Sequence, residues 1–305
     1  MRVRATPEPM VRVERILALK RCGDSFNRMP LPTQVGSLHL DTADAASATG
    51  ANVLCLHGLF AGSWVFEQLL PLIAERGHSA AALSFRGHPP NAPLPDIGNQ
   101  SVTAFANDAA EACKALERPI VIGHSLGGLI ALLLAGRNLA RAAIVIAPAP
   151  PRGIPVLHPQ LLLRMSRYLP ALLLSRAFRP TDADLDALVL NMVPPGERAA
   201  LRARFVKDSG RAARQTALGV FKVPPRAMRA PVLVVTGDED RFIPMRIAQR
   251  VAQTYTAPLH VARGHGHFLL SEPGWEEHAG IMLDWVEGLP RPIREADKAP
   301  PLPSR

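Results

Sequence analysis

Cysteine is scarce in this chain: three residues, Cys22, Cys55 and Cys113, among 305. They cannot all pair and no two form a Cys-x-x-Cys, so neither a disulfide framework nor a zinc knuckle is indicated. A reducing, cytoplasmic compartment is therefore expected. Long apolar runs are also missing. Nothing approaches the ~18 to 20 residues that cross a bilayer, which argues against an integral membrane protein. A secretory signal is not expected either, because the short apolar run Ile16–Leu19 meets Lys20 and Arg21 where roughly 7 to 15 apolar residues are needed. A short helix is expected over Val11–Arg21, with Met10 as an alternative start. Neither G-x-G-x-x-G nor G-x-x-x-x-G-K occurs, so no nucleotide fingerprint and no cofactor are expected. There is no internal repeat.

What is present is the composition of a folded globular protein, 48% hydrophobic and 20% charged, at a length that suits one large domain or two small ones. Lys and Arg total 35 against 26 Asp and Glu, a net charge of +9. That excess is confined. Residues 148–229 hold 14 basic and 5 acidic residues, and the rest of the chain holds 21 of each.

Short apolar runs read as buried strands at Val53–Leu56, Ala80–Phe85, Ile120–Ile122, Ala142–Ala147, Val232–Thr236 and Leu259–Ala262. Stretches with helical spacing follow, at Trp64–Arg76, Val102–Leu116, Leu126–Arg137, Met245–Tyr255 and Trp275–Gly288. Such alternation implies a mostly parallel sheet with helices on both faces and an active site beyond the carboxyl ends of the strands. The alternation stops after Ala147 and resumes at Pro231. Between them lie prolines and an apolar stretch broken by arginines, with no strand evident, so a mostly helical insertion is expected. The tail from Leu289 is proline-rich and reads as loose.

The strongest chemical signal is Gly123-His124-Ser125-Leu126-Gly127, set between an apolar strand and a helix-like run. A nucleophile on so tight a turn is strained, and small residues two positions either side avoid collision. The helix start also brings unpaired amides near the serine oxygen. A serine hydroxyl needs a base, and the base an orienting acid. Asp238 and Asp240 both follow one later strand, and His265 and His267 both follow the next. The order Ser, acid, His is that of strand–turn–helix serine hydrolases.

In order along the chain, the motifs are His57-Gly58, Phe85-Arg86-Gly87-His88, Gly123-His124-Ser125-Leu126-Gly127-Gly128, Gly237-x-x-Asp240-x-x-x-Pro244 and Gly266-His267-Phe268. Together they resemble the serine branch of the α/β-hydrolase superfamily, over a stretch from about Ser37 to Leu289. The resemblance implies a mostly parallel central sheet flanked by helices, with a mainly helical cap inserted after the sixth strand. Its divisions would be an extension at 1–31, a core at 32–147 and 230–289, a cap at 148–229 and a tail at 290–305. It also implies Ser125 as nucleophile, Asp240 as acid and His267 as base, with the amides of Leu59 and Leu126 as oxyanion donors. Where the family often has an aspartate upstream of the Arg-Gly pair, this chain has Ser84, so the usual ion pair is not expected there. The His265-x-His267 spacing lacks a third ligand, and no metal is expected.

A serine nucleophile argues against the aspartate-dependent relatives, haloalkane dehalogenases and epoxide hydrolases, and suits hydrolysis of an ester, thioester or lactone. Carbon–carbon bond hydrolases and perhydrolases share the triad. An acyltransferase, or a silent binding protein on the same fold, is the alternative. The expected partner is a small acyl ester bound by Phe60, Leu161, Met165 and Leu169. Leucines at 161–163, 169 and 172–174 alternate with Arg164, Arg167, Arg176 and Arg179. They form either an amphipathic lid helix with solvated arginines, or a basic apolar surface for anionic amphiphiles and transient membrane contact. Nucleic acid is not an expected partner, since this stretch has few aromatics for stacking.

Overall fold

The computed structural model of the protein describes residues 30–46, 50–155 and 163–290. The expected helix at Val11–Arg21, the lid leucines Leu161 and Leu162, and the tail beyond Pro290 lie outside the described residues.

The first half of the sheet is built from β1 (Gln34–Val35), β2 (Leu38–Ala43), β3 (Asn52–Leu56), helix α1 (Leu69–Glu75), β4 (Ser79–Leu83), α2 (Val102–Ala115), β5 (Ile120–His124), α3 (Leu126–Gly136) and β6 (Ala142–Ile146). An insertion follows, with α4 (Leu169–Leu173), β7 (Ala177–Phe178), α5 (Pro195–Arg204), β8 (Asp208–Ser209) and α6 (Gly210–Ala217). The sheet is completed by β9 (Val232–Gly237), α7 (Met245–Tyr255), β10 (Leu259–Ala262) and α8 (Trp275–Glu287). Its eight strands run in the order β1-β2-β4-β3-β5-β6-β9-β10. All neighbours from β4 to β10 are parallel, and β1 and β2 are antiparallel additions at one edge.

Period-two alternation sorts the strand residues into two cores. Leu54, Leu56, Val121, Val145 and Val234 share one core with Phe105 of α2, Ile130 of α3 and Val251 of α7. Val53, Cys55, Ile122, Ile144 and Val235 share the other with Ile73 of α1 and Met282 of α8. Because both faces are covered, the strands read as unbroken apolar runs, as a buried parallel sheet requires. Helix α3 is buried from Leu126 to Ala135 and so is apolar on every side.

The structure departs from the sequence reading in four places. Trp64–Arg76 is not one helix but a 3-10 turn at Ser63–Phe66 followed by α1. The edge strands β1 and β2 carry too weak an apolar pattern to have been read as strands. The insertion contains a strand pair, β7 with β8, antiparallel through Ala177–Ser209 and Phe178–Asp208. Two residues per strand leave no periodicity to detect. The expected lid helix is likewise a 3-10 turn at Ser166–Tyr168 and the five-residue α4, divided where Pro170 enters as a helix start. Its arginines are largely engaged within the insertion: Arg164 and Arg167 pair with Asp184, and Arg179 with Asp182.

Candidate active site

Ser125 sits where β5 gives way to α3, with φ 55° and ψ −114°. Such a conformation costs a non-glycine residue on the order of 1–3 kcal/mol and survives only where the surroundings impose it. Here they do. Ser125 N donates to Ile146 O of β6 at 2.9 Å, and Ser125 O accepts from Gly128 N at 3.0 Å and Ala149 N at 2.9 Å. A Cβ on Gly123 would lie 2.1 Å from Gly127 O, and one on Gly127 would lie 2.0 Å from Leu56 O. Both obstacles are backbone, so neither can give way; this is the steric content of the pentapeptide. The loop after β3 also comes close, with a Cβ on Gly58 falling 2.9 Å from Ser125 Cβ.

His267 and Asp240 are in direct contact, His267 Nδ1 lying 2.8 Å from Asp240 Oδ2 in a buried setting. Asp240 Oδ1 accepts the amides of Phe242 and Ile243, each at 2.8 Å, which fixes the carboxylate plane and aims Oδ2 at the ring. A carboxylate on Nδ1 holds the ring proton there and leaves Nε2 as the basic nitrogen. Ser125 and His267 line one cavity. The competing residues are used elsewhere. Asp238 Oδ1 accepts Gly264 N at 2.7 Å, and the His265 nitrogens lie 3.0 and 3.1 Å from the carbonyls of Arg263 and Pro273.

The remaining expected site residues fall on the same cavity, of about 380 Å³: Leu59, Leu126, Phe60, Met165 and Leu169. Leu161 lies outside the described residues. Leu126 opens α3, where the first amides have no acceptor within the helix. Phe60 has φ 67°. Its amide donates to Asp208 Oδ2 at 2.7 Å and its carbonyl accepts Val206 N at 2.8 Å, which leaves Leu59 as this loop's candidate donor toward the cavity.

Buried histidines frame the site. His57 accepts Phe85 N at Nε2 (3.2 Å), so its Nδ1 carries the proton and donates to Gly58 O at 2.7 Å. His124 Nε2 donates to the carbonyl of His267 at 2.8 Å, tying the residue beside Ser125 to the backbone of His267. Burial drives both rings down to a pKa of about 3, and neighbouring histidines push the same way. His88 is the opposite case. Burial disfavours its charge, but the Asp208 carboxylate more than offsets this and holds it above the ordinary value.

Three features had no legible sequence signal. Arg86 does have a carboxylate partner, Asp108 of α2, both of whose oxygens lie within 3.1 Å of Nε; Ser84 instead bonds Ser63 and Pro89 O. Asp208 and His88 meet across 3.0 Å. Glu272 accepts Gly266 N at 2.7 Å, just before His267, and burial raises its pKa. Each is an ordinary polar residue with no local motif around its partner, and only the fold brings the pair together.

The sequence profile of the alpha/beta hydrolase family matches residues 53–277, and the chain belongs to that family. Among curated proteins, it is 28% identical over 285 residues to the magnesium-chelatase 30 kDa subunit of Rhodobacter capsulatus, covering 84% of this chain and 93% of that one. It is 31% identical over 111 residues to the probable esterase PIR7A of Oryza sativa subsp. indica, a match covering 34% of this chain and 41% of the esterase. Among solved structures, the fold is similar to a soluble variant of the Saccharomyces cerevisiae monoglyceride lipase. That match has a TM-score of 0.67 at 17% identity, over 85% of this chain and 98% of that one.

Proposed function

We propose that the protein is a serine hydrolase that cleaves a carboxylic ester, or a thioester or lactone, through an acyl-enzyme on Ser125. His267 Nε2 takes the serine proton as the hydroxyl attacks the acyl carbon, and then returns it to the departing alcohol. Asp240 keeps the ring oriented and stabilises the imidazolium. The amides of Leu59 and Leu126 receive the oxyanion in both halves of the reaction. The second half repeats the steps with water in place of serine. The observation that carries this reading is the strained Ser125 on the same cavity as a histidine already paired with a buried carboxylate.

The cavity wall supports an apolar acyl chain as substrate. Leu169 and Leu172 of α4 and Phe178 of β7 face it from the insertion. An uncharged ester fits better than an anionic one, since three of the four arginines interleaved with the lid leucines are paired with acids. The Rhodobacter relative bears the name of a subunit, which favours one second reading: a binding protein that keeps the fold without turnover.

Hydrolysis of p-nitrophenyl esters of graded chain length separates the two. Replacing the nucleophile alone lowers kcat by about 10⁶ in enzymes of this chemistry, so Ser125→Ala is expected to leave only background. Equal rates in the parent and Ser125→Ala would remove the nucleophile and the enzymatic reading with it.

A further inference from the structure

The strand pair of the insertion stands directly behind the loop that carries Leu59. Asp208 in β8 is 1% exposed, as is His88, which reaches it from the turn after β4. Every oxygen of this carboxylate is used. Oδ1 accepts Ser209 N at 2.6 Å. Oδ2 accepts Phe60 N at 2.7 Å and lies 3.0 Å from His88 Nε2. His88 Nδ1 lies 3.1 Å from Arg86 O. A carboxylate on one ring nitrogen and a carbonyl on the other give both nitrogens an acceptor, an arrangement that favours the protonated ring.

Nothing in this arrangement is free to drift. The Ser209 hydroxyl lies 2.9 Å from Gly98 O and 2.6 Å from Gln100 O, pinning β8 to the core. Phe178, opposite Asp208 in the ladder, sets its ring against Phe60 at 4.9 Å. Val206 N holds the Phe60 carbonyl at 2.8 Å. Phe60 is thus gripped at its amide, its carbonyl and its ring, at a φ of 67° that phenylalanine does not adopt unaided. Release of the amide would let Phe60 relax to negative φ and turn the adjoining peptide, moving Leu59.

We propose that Asp208, carried by the insertion and backed by His88, is a positioning residue that holds Phe60 in its strained conformation and so aims the Leu59 amide at the reacting acyl group. It is not a catalytic residue, since neither Asp208 nor His88 lines the cavity. The inference rests on the serine-hydrolase reading. It gives the insertion a part in turnover beyond shaping the substrate pocket.

The test uses the full chain, p-nitrophenyl butyrate as substrate, and a fluorophosphonate probe to count competent serines. Asp208→Ala removes the acceptor for Phe60 N, whereas Asp208→Asn retains an oxygen there. Loss of an oxyanion donor outright costs about 10² to 10³ in kcat, so Asp208→Ala, which only misaims one, is expected to lower kcat per labelled site about 10- to 100-fold. KM should change by less than about threefold, and Asp208→Asn should recover to within about fivefold of the parent. Amide exchange over residues 57–62, measured in the Ser125→Ala background, should rise with Asp208→Ala and stay near the parent's with Asp208→Asn. Should Asp208→Ala not fold, His88→Gln leaves Asp208 in place and should cost about 3- to 10-fold in kcat at unchanged KM.

Parent-like kcat per labelled site in the variant that folds, or equal losses in Asp208→Ala and Asp208→Asn, would overturn the positioning role alone. A parent protein no faster than Ser125→Ala would overturn the hydrolase reading and this inference together.

Discussion

The histidines buried under the sheet and the acids buried in the insertion are satisfied in opposite ways. Inside the sheet region two buried histidines are held neutral: His57 and His124 each bond backbone groups with a single ring proton, and burial holds them uncharged. In the insertion the buried groups are charged and multiply bonded. Asp184 accepts the hydroxyls of Tyr168 and Thr181 and pairs with Arg164 and Arg167. Asp208 binds His88 and two amides. A parallel sheet satisfies its own backbone, so its side chains need only fill space. The insertion has helices of five to ten residues and a ladder of two-residue strands, too short to hold themselves together, and side-chain hydrogen bonds replace the missing secondary structure. Scaffold rigidity therefore comes from the first region, and specific cross-links from the second.

The sharpest way to probe that contrast is a change that leaves the scaffold intact and removes only charge from the buried Asp240–His267 contact. In Asp240→Asn an oxygen still accepts Phe242 N and Ile243 N, but an amide then faces His267 Nδ1 and forces the proton to Nε2. Under the proposed mechanism His267 is then left in the wrong tautomer, and kcat should fall by on the order of 10⁴ while the thermal midpoint stays near the parent's. A drop in the midpoint with kcat per folded molecule preserved would instead make Asp240 a structural residue.

Next in size is the pH dependence of stability. With pKa about 3 folded against 6.5 unfolded, His57 and His124 add no penalty above pH 6.5. As pH falls toward 3 the unfolded chain binds protons that the fold refuses, and each ring costs about 1.4 kcal/mol per pH unit. His78, His260 and His278 shift in the same direction. The pair that joins the insertion's Asp208 to His88 has the other sign. His88 is raised, so its contribution is complete below 6.5 and is lost as pH rises through its folded value. Asp208 is lowered despite its burial, chiefly by His88, so its share is lost only as pH falls below 3.8. Urea denaturation from pH 4 to 9 should show an acid limb set by the sheet and a shallower alkaline limb that vanishes in Asp208→Asn. Stability that stays flat between pH 6.5 and 5 would show that His57 and His124 take up protons within the fold.

The same contrast governs how much the sequence discloses. Val53–Leu56, Val232–Thr236 and the Ser125 turn are legible because a buried parallel strand must be apolar throughout, and a position where an added Cβ would fall 2.0 Å from another residue's carbonyl must be glycine. Asp240 and His267 are singled out by the resemblance, whose spacing selects them from the two aspartates and two histidines that follow the last strands. Nothing comparable marks Asp208. It is one of the insertion's 5 acids among 14 basic residues, and its partners Phe60 and His88 stand 148 and 120 positions away. Neither periodicity nor local motif carries such a contact. The arginines at 164, 167 and 179 mislead for a related reason: their spacing along the chain suggests a basic surface, while their partners at 182 and 184 are visible only in three dimensions.

The smallest effect belongs to the insertion's rim, and it separates substrate shape from scaffold most finely. Leu173 and Leu218 are 64% and 66% exposed, yet both also line the cavity. A leucine that remains mostly in water contributes little to folding, so Leu173→Ser should move stability by no more than about 0.5 kcal/mol. Its apolar surface gains a role only when an acyl chain is long enough to lie against it. Each methylene then removed from water is worth about 0.8 kcal/mol, close to fourfold in affinity. Steady-state kinetics across p-nitrophenyl esters should therefore show an unchanged KM for acetate and butyrate, and a rise of about 3- to 10-fold for chains that reach the rim, with kcat unaltered. The chain length at which KM begins to rise measures the reach from Ser125 to the rim. An equal rise for acetate would place Leu173 against the reacting end of the substrate, and the insertion would then shape the reaction site itself and not only the channel leading to it.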